Sequence, residues 1–172
     1  DYGVEEGEIE DGEREIIERV FAFNDLKVRD VMIPKGRLFS LDAGLTVAHA
    51  LPLVLAQPYS RIPIYEGSPD DIVRLIYLRD LLEAVSEGKN DARLKDISHQ
   101  TLFVSQYQSL DELFETFRRR SRHFSVVVDE YGEVRGIATL EDLMEELVGE
   151  IYDESDVTVP PVDRASADEI VV

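Results

Sequence analysis

A chain of 172 residues with 44% hydrophobic content is long enough for one compact domain or two small halves sharing a core, and too apolar for a disordered tail. Lys and Arg number 18 against 37 Asp and Glu, a net charge of −19 that repels a phosphate backbone and an anionic membrane surface alike and excludes nucleic acid as a partner. Cysteine is absent, so no disulfide or thiolate metal site exists; the longest apolar run, Ala50 to Ala56, is far short of the about 20 residues of a membrane-spanning helix, and the chain as given reads as soluble.

In chain order, Glu10 to Phe23 places Ile16, Ile17, Val20 and Phe21 at helical spacing with acids opposite, which predicts an amphipathic lead-in helix within a segment 1–27. A first unit follows over 28–88: strand Arg37 to Leu41, helix Thr46 to Ala56, strand Arg61 to Tyr65, a turn at Gly67-Ser68-Pro69, strand Ile72 to Tyr77 and helix Leu78 to Ser86. Pro52 removes a hydrogen bond inside the first of these helices, so that helix is expected to bend or start late. Ser86 to Ala92 reads as a linker.

A second unit spans 93–152. Strand Thr101 to Val104 precedes Ser109-Leu-Asp-Glu112, a capping box that opens a helix with Leu110, Leu113, Phe114 and Phe117 on one face. Ser125 to Asp129 and Glu133 to Ala138 predict a hairpin around Gly132, and a final helix from Thr139 turns Leu140, Leu143, Met144, Leu147 and Val148 inward. Residues 153–172, with Pro160-Pro161, read as a tail or linker.

The two units repeat one another. Val28 to Met32 aligns with Arg93 to Ile97, Tyr59 to Glu66 with His123 to Glu130, and Val73 to Leu82 with Arg135 to Met144, pairing Asp80 with Asp142. The predicted fold is therefore α+β, two β-α-β-β-α repeats packed sheet to sheet, with an N-terminal amphipathic helix and a C-terminal tail.

Function concentrates in Gly136-Ile-Ala-Thr139-Leu-Glu-Asp142, a strand running straight into a helix. Thr139 and Asp142 share its first turn, where free N–H groups attract a phosphate, a hydroxyl can bond it, and a carboxylate can accept both hydroxyls of a ribose. The same spacing also serves a plain N-cap with its box partner. Both readings stay open on this motif alone.

Glycine-apolar-Ser/Thr-x-x-Asp at the head of the last helix resembles the nucleotide motif of CBS domains. More narrowly, Val31-Met-Ile33-Pro34, Ser60-Arg61-Ile62-Pro63-Ile64, Val127-Val-Asp-Glu-Tyr-Gly132 and Thr139 to Asp142 with Gly149 to Glu154 resemble the CorC/HlyC hemolysin-like family and its cyclin-M relatives. That resemblance implies a pair of repeats dimerised into a flat disk, acting as the cytosolic regulator of magnesium or cobalt transport. It implies a membrane domain before the acidic helix and a further small domain after the tail.

The resemblance also implies a cleft for ATP or AMP, with Mg²⁺ on the phosphates. It would combine Ile33, Tyr59, Ser60, Arg61, Ile62 and Pro63 with Thr139 and Asp142: Asp142 on the ribose, Thr139 and Arg61 on the phosphates, Ile62 and Pro63 on the base by apolar side-chain contact and backbone hydrogen bonds. Ile33 replaces the threonine common in relatives, so no hydroxyl reaches phosphate there. A twin cleft would use Asp80, His123, Phe124, Ser125 and Val127, but Arg74 and Tyr77 bring bulk where the other copy has Gly136 and Thr139, so it is expected to be weak.

Arg118, Arg119, Arg120, Arg122 and His123 form the one basic cluster, read as a helix C-terminus answering its own dipole, or as a polyphosphate or dimer contact. His49 and His99 stand alone, and no catalytic order of Ser, His and Asp or glycine-rich phosphate loop is present, so no enzyme is expected. Two other readings remain: direct Mg²⁺ sensing by acids such as Glu145, Glu146, Glu150, Asp153 and Glu154 at a dimer surface, and a ligand-free dimerisation scaffold.

Overall fold

The structure is a computed structural model that describes residues 10–158, with 150–158 as backbone only. Glu10 opens helix α1 (Asp11–Phe23), its amide donating to Glu13 Oε1 at 3.4 Å. Glu15, Arg19 and Phe23, at four-residue spacing, face the body. The predicted apolar stripe does not: Ile16 is 42% exposed, Ile17 46%, Val20 47% and Phe21 71%. The helix is amphipathic as read, but its polar side is the one packed on its own chain.

After a short helix α2 (Val28–Val31) come strand β1 (Ile33–Pro34), a single 3-10 turn at Lys35–Arg37, β2 (Leu41–Asp42), α3 (Val47–Leu55), β3 (Arg61–Tyr65), β4 (Ile72–Tyr77) and α4 (Leu78–Ser86). The second half repeats this: α5 (Leu94–Ile97), β5 (His99–Gln100), β6 (Leu102–Ser105), α6 (Leu110–Arg120), β7 (Phe124–Val128), β8 (Val134–Thr139) and α7 (Leu140–Thr158). Thr46 caps α3 by accepting from the His49 amide, so this helix does not start late despite Pro52. Ser109 caps α6 through the expected box with Glu112.

Two four-stranded sheets result, ordered β2-β3-β4-β5 and β1-β8-β7-β6. In each, a helical crossover makes the first long pairing parallel, Leu41 beside Ile64 and Leu102 beside Ser125, and a hairpin makes the next antiparallel. One core cluster lies between the first sheet and α3 and α4, around Val47, Ile62, Ile64 and Leu81. A second lies between the other sheet and α6 and α7, around Leu113, Phe117, Val127 and Leu143. The two sheets meet face to face over Ile72, Leu75, Phe124, Val126, Val134 and Ile137.

Four expectations need correction. Of the strand expected at Arg37 to Leu41 only Leu41 is strand: Leu38 to Ser40 cross from one sheet to the other, with Leu38 packed in the cluster between the sheets and Phe39 against the first core. The strand predicted at Thr101 to Val104 begins one residue later. The last helix continues in backbone to Thr158 across a break at Gly149 (φ 26°), into the segment read as tail. Phe114 and Met144, expected inward, stay 37% and 43% exposed.

The repeat itself is real, but its second block is out by one. Arg61 pairs with Tyr77 and Ile62 with Ile76, while Phe124 pairs with Thr139 and Ser125 with Ala138. Phe124 is therefore the counterpart of Arg61. A one-residue slip reverses every side chain's face, which matters below.

The lobes also exchange their leading segments. β1 pairs with β8, with Ile33 beside Ile137 and Pro34 beside Gly136, and β5 pairs with β4, with His99 beside Leu75 and Gln100 beside Arg74. The amides of Val28 and Arg29 donate to Gln108 and Gln106, as those of Leu94 and Lys95 do to Leu45 and Ala43. Each sequence repeat thus completes the other's sheet, and the boundary between lobes is crossed twice.

Candidate functional site

At the point where β8 becomes α7, Thr139 and Asp142 close a capping box. The Thr139 amide and hydroxyl both donate to Asp142 Oδ2 at 2.9 Å, and the Asp142 amide donates to Thr139 Oγ1 at 3.2 Å. The capping reading is therefore realised in the structure. It engages one carboxylate oxygen; Oδ1 makes no hydrogen bond among the described residues.

Register sets what stands opposite. Arg61 at the head of β3 reaches across the lobe boundary and forms a two-point ion pair with Glu141, Nη1 to Oε1 at 3.1 Å and Nη2 to Oε2 at 2.5 Å. This hydrogen bonding raises the Arg61 pKa above its usual value and holds the Glu141 carboxyl below the ordinary range. A carboxyl depressed in the fold contributes stability above its unfolded pKa of about 4.3, lost as pH falls through the lower folded value. The pair is too exposed for a large effect. In NMR titration, Glu141 is expected to ionise below that reference, and Arg61→Ala to return it upward; an unmoved midpoint would contradict the pairing.

A cavity of about 390 Å³ opens here, walled by Ile33, Pro58, Tyr59, Ser60, Arg61, Phe124, Ile137, Thr139 and Glu141. A narrower space of about 80 Å³ shares Ile33, Tyr59, Arg61 and Ile137 and adds Arg37, Leu38, Phe39 and Pro63. Five of the eight residues expected in this cleft line the larger space, and Pro63 lines the smaller. Asp142 stands behind Thr139. The Ile62 side chain is fully buried in the first core, so only its main chain can serve a ligand, contrary to the expected side-chain contact.

β1 forms one wall because Gly136 permits it. A Cβ on Gly136 would lie 2.2 Å from the Ile33 carbonyl oxygen and 3.1 Å from the Pro34 Cα, so any side chain there displaces backbone.

The twin arrangement is different. Asp80 Oδ2 accepts from the Tyr77 amide at 2.9 Å and meets His99 Nε2 at 2.8 Å. His99 is thus not isolated, as the sequence suggested; it occupies the place that Ile33 holds in the other lobe, and its ring stacks edge-on against Tyr77 at 5.5 Å. Arg74, the counterpart of Gly136, donates through Nε to Ser98 Oγ at 2.7 Å and through Nη2 to the Ser98 carbonyl at 2.8 Å.

Of the other residues assigned to the twin, Phe124 lines the first cavity instead. Ser125 is buried and donates to the Ala138 carbonyl, and Val127 is core. The one-residue register error accounts for Ser125 and Val127, which stand where the first lobe has the buried Ile62 and Ile64. His123 borders a separate pocket beside α6 and α7.

Pro58, Phe124, Ile137 and Glu141 line this cavity without having been expected there. Glu141 lies inside the motif, but its partner is 80 residues away and no local pattern reports it. Among the described residues no group of three His, Asp or Glu is placed to hold a metal ion; of the proposed acidic surface, the Glu150, Asp153 and Glu154 side chains lie outside the described residues. No described helix is long and apolar enough to cross a membrane.

Two sheets completed by exchanged strands, with a motif-bearing helix N-terminus at the lobe boundary, define a tandem pair of CBS domains, and the CBS domain model matches residues 28–87 and 94–149. The chain belongs to the CNNM/CorC, hemolysin-like branch of that family. It is 34% identical to the solved CBS domain of a bacterial CNNM/CorC family Mg²⁺ transporter, with a TM-score of 0.80 over 86% of this chain and 90% of that one. A structure of such a domain in complex with ATP is 35% identical, with a TM-score of 0.76 over 80% of this chain and 98% of that one.

Among curated relatives, Hemolysin C of Brachyspira hyodysenteriae is 38% identical over 85% of this chain and 53% of its own length. The magnesium and cobalt efflux protein CorC of Escherichia coli is 30% identical over 86% of this chain and 51% of its own. The chain spans about half of the length of these two relatives, and 37% of a mycobacterial UPF0053 protein that is 34% identical over 91% of this chain.

Proposed function

We propose that this CBS pair is a regulatory module that binds an adenine nucleotide, ATP or AMP, in the cleft between its lobes, as part of a divalent-cation (magnesium or cobalt) transport protein. The observation that carries it is the meeting, at one cavity, of a helix N-terminus with its hydroxyl, a guanidinium from the other lobe, and apolar walls. The ATP complex of a related domain supports the ligand class.

In this reading Thr139 and the first amides of α7 receive phosphate, Arg61 adds positive charge, and Asp142 holds the ribose through its unengaged oxygen. Ile33, Tyr59, Ile137 and Pro63 flank the base, with the Ile62 main chain beside it. The module sits on the cytosolic side, works as a homodimer, and its partner is the membrane transport domain of the same parent protein. Nucleotide occupancy fixes the angle between lobes, because the cleft is built from both.

Glu141 gives Mg²⁺ a definite part. Its carboxylate stands on the cavity wall beside Arg61, where a triphosphate would otherwise face a like charge. Titration calorimetry with ATP and MgCl₂ is expected to give a saturable heat. Chelating the metal is expected to weaken ATP by about tenfold, as one close like-charge contact would, and AMP much less. No heat with either nucleotide overturns the reading. A large rise in melting temperature with MgCl₂ alone would favour direct cation sensing instead.

A further inference from the structure

The outward apolar stripe of α1 leaves four large side chains, Ile16, Ile17, Val20 and Phe21, in contact with water. A stripe of this kind marks a contact surface rather than a scatter of single exposed residues. Its surroundings are mainly acidic: Glu13 lies one turn earlier on the same face and Glu18 at its edge, with Arg14 the one base beside Phe21. A helix lying on a bilayer carries Lys and Arg on its polar side, so this chemistry disfavours lipid. It calls for a partner that is apolar at its centre and basic at its rim.

The chain carries such a surface itself. A pocket of about 340 Å³ between the end of α6 and the start of α7 has Phe114, Phe117 and Leu140 as its floor and Arg118, Arg122 and His123 at its rim. Arg118 is tied to Glu115, and Arg122 gives one N–H to the Gln100 carbonyl at 3.1 Å, leaving further donors on both guanidinium groups. In a chain of net charge −19 this is the densest basic stretch.

Both surfaces are set by α7. The pocket lies at its first residue, Leu140, whereas α1 is fastened further along it by Arg19, whose Nη1 donates to the Glu146 carbonyl at 2.8 Å. Six residues separate those points, about 9 Å of helix rise, and Met144 lies exposed between them. A two-fold axis passing close to Met144, between those two points, would set two such helices antiparallel and lay each acidic, apolar α1 over the other's basic pocket.

We infer that α1 docks in trans: its Ile16–Phe21 stripe covers the Phe114–Leu140 pocket of a second copy of this chain, with Glu13 and Glu18 facing Arg118 and Arg122, twice per dimer. This deepens the homodimer in the proposed function and is independent of nucleotide binding.

Sedimentation equilibrium on the 172-residue chain tests it, with circular dichroism as the check on folding. The wild type is expected to be dimeric. Phe21→Glu, which puts a carboxylate over the apolar floor, and the double variants Glu13→Lys/Glu18→Lys and Arg118→Glu/Arg122→Glu, in which like charges face each other, should each weaken dimerisation by about tenfold or more. An equimolar mixture of the two double variants should restore a dimer, because both of its contacts again pair opposite charges. A wild type that stays monomeric overturns the homodimer itself. A dimer indifferent to all three variants, or a mixture without rescue, leaves the homodimer standing and overturns this surface. Flotation of the wild type with phosphatidylcholine vesicles, lost in Phe21→Glu, would overturn it by assigning the stripe to lipid.

Discussion

Replacing Gly136 by alanine is expected to detach β1 from the second sheet, destabilise the chain by about 1–3 kcal/mol and remove nucleotide binding together with it. The added methyl would stand 2.2 Å from the Ile33 carbonyl oxygen and 3.0 Å from its carbon. Those are backbone atoms held in register by pairing of Ile33 with Ile137 and Pro34 with Gly136, so no rotamer relieves the overlap. β1 has to move, and Ile33 is a wall of the proposed cleft. Stability and binding therefore fall through one displacement. Arg74→Ala at the matching position should cost only the two hydrogen bonds to Ser98, about 1 kcal/mol each, and leave ATP affinity unchanged. Urea unfolding and calorimetry on both variants check this; a Gly136→Ala protein with the wild-type midpoint and wild-type heat would show that the close approach of β1 is dispensable.

The same glycine shows what a linear reading could and could not extract. β3, β4 and α4 fall where alternation and helical spacing put them, and the Ser109 and Thr139 boxes form as their spacing requires. These are local signals, set by side-chain period and by the unpaired amides of a helix start. The exchanged strands β1 and β5 are two residues long, too short for any period. Their pairing is fixed by distant partners, which is why Gly136 read as part of a motif rather than as a contact.

Charge partners were hidden for the same reason. Arg61 with Glu141 and Asp80 with His99 join positions 80 and 19 residues apart. The outward direction of the α1 stripe was equally illegible, because periodicity reports that a face is apolar, not what covers it. The misplaced register of β7 had the widest effect. A repeat aligned by similarity tolerated a one-residue slip, and the slip put the buried Ser125 and Val127 in a cleft.

Asp142→Ala is expected to lower ATP affinity by about 10- to 100-fold, whereas Asp80→Ala leaves it unchanged, although both variants lose the same kind of cap. Each aspartate accepts from the amide of its own N-cap residue, Thr139 or Tyr77, at 2.9 Å, so each substitution costs about 1 kcal/mol of stability. Matched destabilisation makes Asp80→Ala the control for folding. Beyond the cap the two sites diverge. Asp142 retains an oxygen for the ribose hydroxyls, and hydrogen bonds to a charged group contribute about 1.5–3 kcal/mol each, which gives the expected loss. Asp80 is already held by His99 at 2.8 Å, with Tyr77 in the place of Thr139 and Arg74 in that of Gly136. Its carboxylate is answered from within the chain. Equal losses in the two variants would mean that both clefts bind, and that the His99 pair opens for a ligand; no loss in Asp142→Ala would remove the ribose role and leave Thr139 and Asp142 as a helix cap alone.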